Sequence, residues 1–228
     1  MNPNRILVLP ALLLLTSCAS LAPIRSQVPV ENKGTLSITL HPGKNFSSQG
    51  WFGPFPFTKG PQMAVWATDL QGNYLATLLV TEKAAKHRWL ASEVDRVEAL
   101  PVWSHAQAGD APDAVAAATD QMQAKVVQAG TSLPSKFRLF VEVNHSYDWN
   151  AVWKKDLPVS DPRYNGVNGQ PSLVSRALVD LDDPHGEVVF QVVGHGSATG
   201  ADGVIDGNLA GMDSARDILD RIEVTRAF

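Results

Sequence analysis

The chain holds a single cysteine among its 228 residues. That excludes an internal disulfide framework, a cysteine-based zinc knuckle and a CxxC redox pair. It has no cluster of Lys and Arg. Nineteen basic residues stand against 23 acidic ones, for a net charge of −4, so the electrostatic footprint of a nucleic-acid binder is missing. No apolar run reaches the ~20 residues that a helix needs to cross a bilayer. No unit of fixed period recurs, which argues against a solenoid or propeller. The histidines are His41, His87, His105, His145, His185 and His195, and no two stand two or four residues apart as in a local metal clip. What is present is a chain 44% apolar and 18% charged: enough for a sizeable core, and too little charge for a disordered polymer.

The N-terminus carries the sharpest signal. Arg5 precedes the apolar run ILVLPALLLL of residues 6–15, the length of a signal-peptide core and too short to span a membrane. Leu15-Thr16-Ser17-Cys18 follows and resembles the bacterial lipobox: an aliphatic residue, two small ones and an obligatory cysteine. The only thiol of the chain stands where that motif needs it. The resemblance implies cleavage before Cys18, a diacylglyceryl group on its sulfur and acylation (palmitate among the chains) of the new N-terminus. Two or three chains make a stable anchor where one is marginal. Ala19, rather than Asp, follows Cys18, which resembles lipoproteins sorted to the outer membrane. The expected organisation is a signal peptide over residues 1–17, a tether over 18–33 with two prolines and no periodicity, and a folded domain over 34–228 facing the periplasm.

Alternation of apolar and polar residues predicts strands over 35–40, 62–69, 74–81, 137–145, 173–181 and 187–194. Turn signals at Leu70-Gln71-Gly72-Asn73 and Asp182-Asp183-Pro184-His185-Gly186 join two pairs of them into hairpins. Residues 41–61 read as turns, 82–96 as a helix or an irregular crossover, and 109–129 as the most helix-prone stretch. Residues 213–222 have helical spacing behind Asp213 as N-cap, and Val224 suits the start of an edge strand. The expected fold is mainly β, an antiparallel β-sandwich with one or two short helices.

Five stretches carry a likeness to a known family. They are Pro61-Gln62-Met63-Ala64-Val65-Trp66 with Asp69 and Gly72; Leu100-Pro101-Val102-Trp103-Ser104-His105; Glu142-Val143-Asn144-His145 with Tyr147 and Asp148; Gln170-Pro171-Ser172-Leu173; and Gly194-His195-Gly196 with Gly200, Asp202 and Gly203. Together, over roughly residues 34–226, they resemble the uncharacterised family of predicted periplasmic proteins known as domain of unknown function 2271. The resemblance implies export and a compact β-rich domain, and no established activity. Similar members carry the pattern Asp-x-x-(Ser/Thr)-Gly-Ala-(Thr/Ser), the acceptor of a flavin transferase that links FMN through its phosphate. Here Asp113, Ala118 and Thr119 match, while Ala116 and Ala117 replace the hydroxyl residue and the glycine. Glycine would permit the close approach that phosphate transfer needs. Thr119 is thus a degenerate FMN-acceptor candidate.

Other chemistry is thinner. Residues 194–200 have GxGxxxG spacing rather than the GxGxxG of a dinucleotide loop, and no βαβ unit surrounds them. Ser197 lacks the glycine spacing of a nucleophile elbow. Asp202 and Asp206 stand four apart without the alternating carboxylates of a calcium loop. His145 and His195 end two predicted strands that point the same way if one strand separates them. The two are therefore expected at one end of the sandwich, with His105 nearby as a third ligand or metal candidate; the alternative is that each imidazole serves a backbone group. Trp66 and Trp103 suit the core; Trp51, Trp149 and Trp153 suit a binding rim. The functional expectation is a membrane-anchored, periplasm-facing module that binds a small ligand or an envelope protein and catalyses nothing. A flavin-bearing electron-transfer lipoprotein and a metal-dependent hydrolase are the alternatives.

Overall fold

A computed structural model of the chain describes residues 21–30, 34–52, 54–85, 88–89, 92–93, 95–107, 133–183 and 185–227. The signal-peptide region, Cys18, His87 and the helix-prone stretch with Thr119 lie outside the described residues. Among these, the strands run β1 (Ile24–Val30), β2 (Gly34–Pro42), β3 (Ser48–Phe52), β4 (Phe55–Lys59), β5 (Gln62–Thr68), β6 (Tyr74–Val80), β7 (Arg88–Trp89), β8 (Ser92–Glu93), β9 (Lys136–Asn144), β10 (Leu173–Asp180), β11 (Gln191–His195) and β12 (Leu219–Ala227). Two short helices, α1 (Glu82–Ala85) and α2 (Pro101–Ala106), accompany them.

A three-stranded sheet in the order β1-β2-β12 faces a five-stranded sheet in the order β11-β10-β9-β5-β6. All pairings are antiparallel. This is the expected mainly-β, sandwich-like fold. Each strand sends alternate residues to one face. From β9, Phe137, Leu139, Val141 and Val143 enter one continuous core with Leu36, Ile38 and Leu40 of β2 and Met63 and Val65 of β5.

The outer face of the larger sheet is covered too, which alternation alone does not predict. Every residue of β5 is buried. Trp66 stacks on its cross-strand neighbour Phe140 with ring centroids 5.1 Å apart. Trp103 of α2 reaches down to donate from Nε1 to Thr77 Oγ1 at 2.8 Å. Trp66 and Trp103 are core residues, as expected.

Four expectations change. Residues 24–30, assigned to the tether, form β1; Ile24, Ser26, Val28 and Val30 are buried and the strand pairs with β2 along its whole length. Residues 48–59, read as turns, form the β3–β4 hairpin. The strand expected over 187–194 starts only at Gln191, because Val188 and Phe190 turn into the gap between the sheets and pack on the core instead of pairing. The helix expected over 213–222 is a single 3-10 turn, Ser214–Asp217, capped by Asp213. Ala215 and Ile218 are buried there, and from Leu219 the chain extends as edge strand β12.

Candidate functional site

The sheet registers place β9 and β11 on either side of β10, each antiparallel to it, so β9 and β11 run the same way. Leu173 of β10 lies opposite both Val143 and His195. His145, two residues past Val143, and His195 therefore stand at one end of the larger sheet. Gln62 at the start of β5 is there as well, opposite Asn144. Segment 43–48 brings the matching end of the smaller sheet alongside: Phe46 O accepts from His145 Nε2 at 3.3 Å.

The three histidines do not share a centre. His145 is buried and points at the Phe46 carbonyl. Burial pushes its pKa below the usual imidazole value, against the backbone carbonyls and Asp148 that favour the charged form. His195 donates from Nδ1 to Gly196 O at 2.8 Å, sets its ring edge-on to Trp153, and faces Asp206 at 3.8 Å. His105 is exposed on α2 and contacts Gly200 O at 3.0 Å. No group of three or more His, Cys, Asp or Glu is placed to hold a metal ion among the described residues. Trp153, expected on a rim, is buried in the core.

Four of the five sequence stretches meet instead at Glu142, whose role the strand pattern concealed. Alternation along β9 turns Glu142 away from the core, to the face that reads as solvent. There it lies fully buried under α2. Its Oε2 accepts from Trp103 N at 2.8 Å, and its Oε1 from Val102 N at 3.2 Å and Ser172 Oγ at 2.5 Å. The two amides belong to the first turn of α2, behind Pro101 at its start, and a helix leaves such amides without partners of its own. The carboxylate supplies them from across the sheet. Burial raises its pKa to about 7, against these hydrogen bonds. Gly196 closes the same spot: a Cβ there would stand 2.5 Å from Pro101 Cγ and 2.6 Å from Ser172 Oγ. Glu142 thus fastens α2 to the sheet, with all its contacts inside the protein.

The open chemistry lies next to it, past the end of β9. A polar cavity of about 120 Å³ is lined by Asn45, Ser48, His145, Tyr147, Asp148 and Ser214, among others. That is room for roughly four waters at ~30 Å³ each. Asp148 is half-buried, and burial raises its pKa above the usual carboxylate range; the Ser214 hydroxyl, donating to Asp148 Oδ1 at 2.5 Å, works in the other direction. Ser214 also accepts from Gln170 Nε2 at 2.5 Å. Lys59 sits over the Tyr147 ring, 4.5 Å from its centroid. Its pKa is lowered by burial and raised by Asp148. Tyr147 has φ = 64°, a conformation that costs a bulky residue energy and is kept only where the surroundings enforce it. The following loop does so: Tyr147 N and Asp148 N bond to Val167 O and Asn168 O. Gly169, at φ = 80°, lets the loop pass close against the Asp148 carbonyl, where a side chain would collide.

Ser214, Asp148 and His145 line one cavity, yet Ser214 gives its proton to the carboxylate while the imidazole serves a backbone carbonyl. No serine–histidine bond joins them, so the nucleophile–base pair of acyl transfer is not assembled. A larger cleft, of about 400 Å³, opens between β11 and β12 over Val143, Phe190 and Ile222. Its floor is the core, and its rim carries the charges of Arg216, Asp220 and Arg221.

The glycine-rich stretch and the acidic pair after it form turns: Asp202 Oδ1 accepts from Val204 N, and Asp206 Oδ1 from Asn208 N. Sequence reasoning named His145 but missed the cavity's Asp148 and Ser214 as partners. Their one signal was that Asp148 belonged to the Glu142-to-Asp148 stretch. No family model matches the chain, and neither a curated protein nor a solved structure does.

Proposed function

We propose that this chain is a bacterial envelope lipoprotein, anchored through Cys18 and facing the periplasm, that binds a small polar molecule and catalyses no reaction. The observation that carries the binding reading is the cavity at the end of β9. It offers a carboxyl acceptor in Asp148, hydroxyls from Ser48 and Ser214 and an aromatic edge in Tyr147, and its volume fits a ligand of a few heavy atoms, or one group of a larger molecule. A concave site with a few convergent polar groups is the usual setting for such a ligand. The lipobox-like residues 15–18, behind an apolar run of signal-peptide length, support both the anchor and the compartment. The lack of a serine–histidine bond favours binding over acyl transfer.

The test is a thermal-shift screen of the purified protein against polyols, simple sugars, hydroxy acids and amino acids. At least one class should raise Tm in a dose-dependent way in the wild type, and the shift should vanish in Asp148→Asn. A screen in which no compound shifts Tm, or in which Asp148→Asn responds like the wild type, overturns this assignment of the cavity.

A further inference from the structure

The β3–β4 hairpin joins neither of the two packed sheets: among the described residues, its two strands pair only with each other. An isolated two-stranded hairpin is marginal in water, and this one exposes apolar surface. Phe55 is 70% exposed and Phe57 41% exposed. Standing two apart on a strand, they project from the same face. Phe55, Pro56, Phe57 and Thr58 are all exposed, so β4 lies uncovered on both faces. Lys59 and Ser48 pair at the hairpin's base, against Tyr147 and the polar cavity. The tip pair, Phe52 and Phe55, lies four residue steps from this base, roughly 14 Å at ~3.4 Å per residue.

The polypeptide enters the fold at this same end. Ile24, the first residue of β1, lies opposite Leu40, two residues before β2 ends at Pro42. Segment 43–48 then leads directly into the hairpin and packs against His145 and Asp148. Only five residues separate Cys18 from Ile24, so a lipid on Cys18 holds β1 within ~20 Å of its membrane at ~3.3–3.6 Å per residue. Leu21, inside that short connection, is exposed as well.

We infer that the exposed aromatic face of the β3–β4 hairpin docks on the surface of the bilayer that holds the lipid anchor. This rests on the lipoprotein reading above, because it is the short connection to Cys18 that brings this end of the sandwich to the membrane. Aromatic side chains are favoured at the boundary between headgroups and acyl chains, and apolar surface adds to a lipid anchor's hold. Docking would cover the largest exposed aromatic surface of the described domain and fix the cavity mouth close to the headgroups.

The test places a fluorophore by thiol chemistry, since the lipidated Cys18 leaves no other free thiol. The lipoprotein carrying Phe55→Cys is labelled with an environment-sensitive dye and reconstituted into phosphatidylethanolamine–phosphatidylglycerol vesicles. A second sample carries the dye at Gln71→Cys, in the β5–β6 turn at the opposite end of the sheet. Phe55 is mostly exposed, so its replacement leaves the core untouched. Dye at 55 should shift to the blue, be quenched by spin-labelled lipid and be shielded from aqueous iodide, while dye at 71 shows none of these. The same two labels go onto a chain in which a hexahistidine tag replaces everything up to Cys18 and is held on nickel-chelating lipid. If dye at 55 stays accessible to iodide and beyond the reach of the lipid quencher while either anchor holds the protein to vesicles, the docking surface is overturned and the lipoprotein reading stands. If Cys18 carries no lipid but dye at 55 is shielded on the nickel-held chain, the lipoprotein reading fails and the docking surface stands.

Discussion

At the scale of single residues, Glu142 joins a burial cost to a structural task. Its carboxyl is held at about 7 by burial, well above the value for an exposed glutamate in an unfolded chain. A raised acid binds its proton more tightly when folded. Its contribution to stability is therefore fully present below the unfolded pKa and is lost as pH rises through the folded one. The loss amounts to about 3 kcal/mol between pH ~4 and ~8. His145 works in the opposite direction: with its pKa lowered by burial, it takes stability away as pH falls. Net curves therefore mix the two, and a difference separates them. In Glu142→Gln, the amide oxygen still accepts from the first turn of α2, and nothing titrates. Wild-type stability minus that of the variant, from urea unfolding, should fall by about 3 kcal/mol from pH ~4 to ~8. A pH-independent difference would mean that the carboxyl keeps its ordinary pKa.

Among the elements, β1 shows how an edge strand escapes notice, and β12 how one is read in part: the stretch from Val224 was expected, the start at Leu219 was not. Residues 24–30 contain Arg25, Ser26, Gln27 and Pro29, and the polar residues and proline suggest a linker. Yet the alternation is strict: Ile24, Ser26, Val28 and Val30 are buried, with Arg25, Gln27 and Pro29 exposed. The Ser26 hydroxyl satisfies itself by donating to Leu78 O at 2.9 Å, and proline is tolerated on an edge strand. In β12, Arg221 and Glu223 pair on the outside while Ile222 and Val224 pack inward. If β1 belongs to the core, Val28→Ala should lower the unfolding free energy by about 2 kcal/mol, while Gln27→Ala, one residue away and exposed, should change it by less than ~0.5 kcal/mol. Equal small effects from both would return this segment to the tether.

For the molecule as a whole, the arrangement is polar in the sense of having two unlike ends. One carries the start of β1, the aromatic hairpin, the cavity with Asp148 and both strand-terminal histidines. The other carries the β5–β6 turn, where Asp69 accepts from Gln71 N and Asn73 N. Loops gathered at one end of a sandwich are where binding groups collect. On the lipoprotein reading proposed above, so short a connection would turn that end toward the membrane. Cys18→Ser should abolish acyl labelling and move the protein from the membrane fraction to the soluble one, with an unchanged β-type far-ultraviolet circular dichroism spectrum. Labelling that persists in the variant would remove Cys18 as the anchor point. Retention on membranes without labelling would point to the hairpin as a sufficient attachment.

Local periodicity marked β5, β6, β9 and β10 of the larger sheet and the antiparallel, mainly-β class, because the residues that face the core between the sheets recur with a period of two; β11 it placed four residues too early. Counting strands between His145 and His195 was enough to put them at one end. The lipobox-like run Leu15-Thr16-Ser17-Cys18 is likewise a local pattern, read without any fold. Tertiary structure decided the rest. That Glu142 is buried follows from α2 folding over the outer face of the sheet, a contact 39 residues away in sequence that no local pattern records. That the histidines serve separate backbone groups rather than one ion depends on where each ring turns after its strand ends. The cavity exists only because segment 43–48, the loop after β9 and the turn at Ser214 converge. Their polar residues read locally as turn formers, and their positions are set by the packing of two sheets.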